Sequence, residues 1–153
     1  MKIANNILIP ELARLISEGK EVRFTPSGVS MRPFIEGDRD SVILTALTRA
    51  PRRGDILLVR AGGPENYVLH RLIRIEQKEN EPAVFILQGD GNIEGEERCL
   101  REDIIARVIR IERPDGHRKC LTNGCFWRVM RPMRKGLLKI YRHTWLKWFY
   151  ENN

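Results

Sequence analysis

Six short runs rich in Val, Ile, Leu, Phe and Tyr constrain this chain more than any other feature: EVRFT, SVILTAL, DILLVR, NYVLHRLIRIE, AVFILQ and DIIARVIRI. Each is five to eleven residues long, and the runs are separated by Gly, Pro and Asp signals, which is how strands and their turns read in a sequence. None is long enough, or spaced at the helical period, to favour a helix. The sequence therefore predicts a mainly β core. Three Gly-Asp pairs, at Gly37, Gly54 and Gly89, lie beside predicted strands. Two of them read most simply as turns. No fixed-period repeat and no low-complexity segment interrupts the pattern.

Ahead of the first run the period changes. In residues 5–19, Leu8, Ile9, Leu12, Leu15 and Ile16 recur on one helical face and Gly19 supplies a stop, so an N-terminal helix is expected. At 153 residues with 42% hydrophobic content, the chain is long enough for a closed core. No segment approaches the roughly 18 uncharged apolar residues of a membrane span, and the first ten residues lack the hydrophobic stretch and cleavage site of a secretory signal.

Charge divides the chain. Residues 1–117 hold 18 basic and 19 acidic side chains, whereas residues 118–153 hold nine basic and one acidic. The expected organisation is a β-rich domain over 1–117 and a basic, aromatic helical tail over 118–153. All three Trp lie in the tail. Leu138, Tyr141, Trp145 and Trp148 form a stripe at three- or four-residue spacing, with Lys139, Arg142 and Lys147 elsewhere on the helix. Pro132 and Gly136 favour two short helices over one long one. Such a tail can dock on protein, lie in an anionic membrane interface, or meet nucleic-acid phosphates. Peripheral membrane contact through Phe126, Trp127, Trp145, Trp148, Lys139, Arg142 and Lys147 is the specific partner reading; nucleic acid is not expected. Cys99, Cys120 and Cys125 are odd in number and unpaired by spacing, and His70, His117 and His143 are scattered. Neither a disulfide framework nor a metal site is expected, and the thiols fit a reducing cytoplasm.

The loop TPSGVSMRPFIEGD, residues 25–38, surrounds Ser27 and Ser30 with small residues and prolines. A Ser hydroxyl becomes a nucleophile only with a base beside it and donors for the oxyanion, so by itself the loop reads as a turn. The ordered series PSGVSMRP, EGD, RGDILLV, VLHRLIRI, LQGDGN and EDIIARVIRI, from about Phe24 to Ile111, resembles the signal peptidase I family, within the clan that also holds self-cleaving repressors. The resemblance implies a largely β serine peptidase without metal or organic cofactor. In it the Ser before Met, Ser30, attacks the peptide carbonyl of a preprotein or leader after small residues. The bacterial branch uses a Lys base; this chain has His70 at that strand position, as in the branch with a His base. An imidazole accepts a proton near neutral pH without the deep burial that a Lys base needs.

The same resemblance makes Asp90 the expected carboxylate orienting His70, and leaves a second acid unassigned among Glu94, Glu96 and Glu97, with Asp103 a further option. Ser27 corresponds to an oxyanion donor, with Val29 an extra residue relative to the tighter bacterial spacing, and Met31 to a residue shaping the substrate groove. Family members normally carry a membrane anchor, which this sequence does not offer; the expected setting is the cytoplasm, with the tail as a peripheral tether to the inner membrane face. The reading from another class is a non-catalytic module that binds an extended peptide by strand addition. His70, with Val68 and Leu72 on its own side of the strand, is in that case a hydrogen-bonded core histidine.

Overall fold

A computed structural model describes residues 5–63, 66–92 and 94–120, together with Gly136, Lys139, Ile140 and His143. The fold is mainly β, with one N-terminal helix. Helix α1 spans Asn5–Ser17 and stops at Gly19, whose φ of 81° only glycine adopts readily. The strands are β1 Val22–Phe24, β2 Ser41–Thr45, β3 Ile56–Arg60, β4 Tyr67–Glu76, β5 Val84–Gln88, β6 Glu97–Cys99, β7 Ile104–Glu112 and β8 Arg118–Cys120. They form one sheet in the order β1-β2-β7-β3-β4-β5-β6, with β8 on β7. Every pairing is antiparallel.

All six predicted runs are strands. Two strands escaped the sequence reading, β6 and β8, because each is only three residues long and carries charged residues. Strand β8 also moves the expected boundary. Arg118, Lys119 and Cys120 pair with Glu112, Ile111 and Arg110, so the sheet continues past residue 117, and the compact units are 1–123 and 124–153.

Alternation along the strands builds two apolar clusters. On β3, Ile56 and Leu58 join Ile9, Leu12 and Ile16 of α1, Val42, Leu44, Leu69 and Val108. Leu57 and Val59, pointing the other way, join Leu72, Phe85, Leu87, Cys99 and Ile104. Strand β3 thus has apolar side chains packed on both faces, which explains why its sequence is a continuous apolar run. The helix stripe read from the sequence is the face that packs: Ile9, Leu12 and Ile16 are buried, and Leu8 and Leu15 are partly so.

Of the tail, Gly136, Lys139, Ile140 and His143 are helical and exposed. Phe126, Trp127, Arg142, Trp145, Lys147 and Trp148 lie outside the described residues, as do the other aromatic side chains of the proposed stripe. No helix among the described residues is long and apolar enough to cross a membrane.

Candidate functional site

The Ser30 loop is folded by backbone contacts that its small residues permit. Gly28 has φ +90°, and a Cβ on Gly37 would fall 2.1 Å from the Gly28 carbonyl oxygen, so the two glycines let the loop cross itself. Asp38 N–H donates to the Pro26 carbonyl at 2.8 Å and closes the crossing. A turn follows, with Phe34 and Ile35 N–H groups donating to Met31 C=O. Met31 and Ile35 are buried in the core and pin the turn. The Gly91 N–H donates to the Ser30 carbonyl at 2.7 Å, tying the loop to the LQGDGN turn.

That anchoring sets Ser30 on the wall of a cleft of about 150 Å³. Ser27, Met31, Tyr67, Val68 and His70 line the same cleft, and Ile9 of α1 contributes to its wall. Of the residues expected from the sequence, Ser30, His70, Ser27 and Met31 are therefore brought together. Ser27 is exposed and Met31 is 5% exposed, consistent with a side chain offered to the cleft and one that shapes it. Val29, the extra residue, is 58% exposed and points its apolar side chain outward from the loop.

His70 is 4% exposed, and its Nδ1 lies 2.7 Å from Oε2 of Glu97. An ionised carboxylate only accepts, so Nδ1 is the donor in this contact, and the tautomer it selects for a neutral ring is the one with the lone pair on Nε2. Nε2 faces Gly89. A Cβ at Gly89 would stand 3.0 Å from Nε2, 2.5 Å from the Ser30 carbonyl oxygen and 2.9 Å from Nδ2 of Asn92. One missing side chain thus lets the basic nitrogen of His70 and the backbone of Ser30 approach. No hydrogen bond joins the Ser30 hydroxyl to His70 among the described residues.

Asp90 is buried in this region, but its geometry corrects the expected role. Both of its oxygens accept from the Arg71 guanidinium, at 2.6 to 3.1 Å, and the carboxylate on Nδ1 of His70 is Glu97. Adjacent residues on a strand face opposite sides, so Arg71 and His70 each take their own acid. Arg71 is 3% exposed and Asp90 2%. The guanidinium also donates to Gly54 C=O at 2.8 Å and stands 5.5 Å from the centre of the Phe34 ring. This pair joins β4, the LQGDGN turn, the turn before β3 and the Ser30 loop.

The remaining acids separate by position. Glu94 is exposed. Glu96 pairs with Arg74 on the outside of the sheet, and Asp103 accepts from the Leu100 N–H at 3.0 Å. Sequence reasoning also passed over Gly89, Arg71 and Asn92. The signal for Arg71 was its place beside His70 in a run that the structure buries on both faces.

Strand β4 adds a second kind of feature. Tyr67–His70 pair with β3 on one edge, while pairing of β4 with β5 starts only at Arg71, opposite Gln88 at the end of β5. The other backbone edge of residues 67–70 has no strand beside it among the described residues, and all four residues line the cleft. No cluster of His, Cys, Asp and Glu able to hold a metal ion occurs among the described residues. No family model matches the chain, and no curated protein matches it.

Proposed function

We propose that the chain is a serine endopeptidase of the signal-peptidase type, with Ser30 as nucleophile, His70 as general base and Glu97 as the carboxylate that orients His70. The observation that carries this reading is the direction of the His70 ring: Nδ1 is held by Glu97 at 2.7 Å, and Nε2 turns toward the turn that anchors Ser30. A base needs this orientation to take a hydroxyl proton, and catalytic hydrogen bonds commonly tighten only once substrate is bound.

Ser30 Oγ attacks the scissile carbonyl carbon as its proton passes to Nε2. The C–N bond then breaks, the leaving amine taking that proton, and an acyl ester remains on Ser30. Water, deprotonated by Nε2, attacks the ester; the proton returns to Ser30 as the carboxylic acid leaves. Ser27, on the same cleft, is the proposed side-chain donor to the oxyanion. A peptide laid against the open edge of Tyr67–His70 would gain main-chain hydrogen bonds and bring its carbonyl to Ser30. The cleft wall mixes polar groups with the apolar side chains of Ile9, Phe24, Met31, Ile35 and Leu58, and small uncharged side chains before the cut, as in a leader, signal or propeptide, are the proposed preference. The basic tail is proposed to hold the enzyme at an anionic membrane face in the cytoplasm.

The open edge favours a second reading, a peptide-binding module without catalysis. Incubating a peptide library with the full chain, Ser30→Ala and His70→Ala, with and without anionic vesicles, separates the two by mass spectrometry. Cuts made by the parent and lost in both variants support the peptidase. Equal peptide binding by all three, with no cut, supports the module.

A further inference from the structure

Glu97 sits in a weak place for a residue that must hold a catalytic ring. It opens β6, at the end of the strand order, which among the described residues is paired on one edge only and through three residues: Leu87 with Glu97, Ile86 with Arg98, and Phe85 with Cys99. Gly95, two residues before it, has φ +91°, a backbone conformation that glycine adopts without strain. Backbone pairing of three residues is at the short end of strand lengths, so side-chain contacts contribute more to placing the Glu97 carboxylate.

The residues on either side of Glu97 are held from outside. Side chains of neighbouring residues on a strand point to opposite faces, so Glu96 and Arg98 lie away from His70. There they join Arg74 and Glu76 of β4. Arg74 donates to both oxygens of Glu96, at 2.8 and 2.7 Å, and to Glu76 at 2.9 Å; Arg98 donates to the other oxygen of Glu76 at 2.5 Å. Arg74 and Arg98 flank Ile86 in register, and Glu76 lies between their charges. The result is a chain of four charges, Glu96–Arg74–Glu76–Arg98, that staples β6 across β5 to β4, the strand carrying His70. Isolated exposed ion pairs contribute little, but bidentate arginines in a network are the geometry in which such pairs count.

We propose that Arg74 is a positioning residue for the His70 site: by clamping Glu96 it fixes β6, and so holds the Glu97 carboxylate on Nδ1 of His70. The catalytic consequence rests on the peptidase reading above, but the positioning does not. Arg74 itself touches neither the cleft nor the ring.

The test follows the Nδ1 proton of His70 by NMR on the full chain, since a proton shared with a carboxylate is displaced far downfield. Glu97→Gln assigns the signal by its loss. Arg74→Ala is expected to abolish or broaden it while the amide spectrum of β3 and β7 stays native. Arg74→Lys, which keeps a positive charge between Glu96 and Glu76, is expected to recover part of it. In the parent, about 1 M salt, where charge screening acts within roughly 3 Å, should weaken it. Where cleavage is measurable, Arg74→Ala should lower kcat by about 10- to 100-fold with KM little changed, the size of effect a misplaced catalytic group produces. An Arg74→Ala protein that keeps the parental signal overturns the proposal. Loss of the signal in a chain whose parent cuts no peptide supports the clamp and refutes the peptidase reading instead.

Discussion

His70 Nδ1 and Glu97 Oε2 lie 2.7 Å apart, joining residues 27 positions distant in the sequence. The neighbouring pair, Arg71 and Asp90, is equally close at 2.6 Å but almost wholly buried, and the two acids serve different ends. On the peptidase reading, Glu97→Gln should preserve the fold and lower kcat by up to about 10⁴-fold with little change in KM, the loss seen when a triad loses its orienting carboxylate. Asp90→Asn should instead cost stability, about 3–5 kcal/mol, because a buried guanidinium loses its counter-charge. Urea denaturation beside peptide-cleavage kinetics separates them. A stable, inactive Asp90→Asn with an active Glu97→Gln would reverse the assignment.

Gly89 is the contact point of the site. In Gly89→Ala the new methyl would stand 2.5 Å from a backbone oxygen, that of Ser30, and 3.0 Å from His70 Nε2, and backbone cannot swing aside as a side chain can. The expected outcome is loss of cleavage together with a displaced Ser30 loop, read as altered amide shifts from Ser27 to Ile35. Shifts and activity unchanged from the parent would mean that His70 and the Ser30 loop are not in apposition at Gly89.

Acid should loosen β6 before it unfolds the central strands. Hydrogen bonds from Arg74, joined at Glu76 by Arg98, hold the Glu96 and Glu76 carboxyls below their usual value of 4.5. A carboxyl depressed in the folded state contributes stability above its unfolded value and loses it as pH falls through the folded one. Chemical shifts of Glu97, Arg98 and Cys99 should therefore begin to move as pH drops below 4.5, while those of β3 remain. Asp40 behaves with the same sign: burial raises its carboxyl, but the Arg39 guanidinium and the Glu36 N–H more than offset that and hold it below 3.8. Movement of β3 ahead of β6 would contradict the network's role.

Cys99 is buried beside Phe85 and Leu87, and burial, with the Asp103 charge, pushes its thiol up to about 11. The thiolate is the reactive form, so native protein should resist iodoacetamide at Cys99 at pH 8 and become labelled there in urea. Peptide mapping by mass spectrometry reads this site by site. Rapid labelling of Cys99 in the native chain would mean that β6 opens readily.

Much of the fold was legible because burial imposes a period on a sequence. The six apolar runs became six strands, and the stripe from Leu8 to Ile16 became the packed face of α1. Strands β6 and β8 were not legible. Three residues show no period, and Glu97, Arg98, Arg118 and Lys119 are charges that a strand tolerates only because pairing to β5 and β7 is provided from elsewhere in the chain. The motif order singled out the loop around Ser30 and the strand of His70, which line one cleft. The closeness of the loop to His70 depends on Gly89 and Gly91, which fold the turn after β5 onto it.

The acids show where sequence stops. Asp90, Glu94, Glu96, Glu97 and Asp103 are chemically similar and lie within 14 residues, and nothing in their order distinguishes a partner for His70 from one for Arg71. The sequence by itself determined the residue types, the strand periods and the presence of a Ser and a His in the matching order. Which carboxylate meets which cation was decided only by the tertiary structure. A strand turns successive side chains to opposite faces, and the register of β6 on β5 assigns Glu97 to the side of His70 and Glu96 to the side of Arg74.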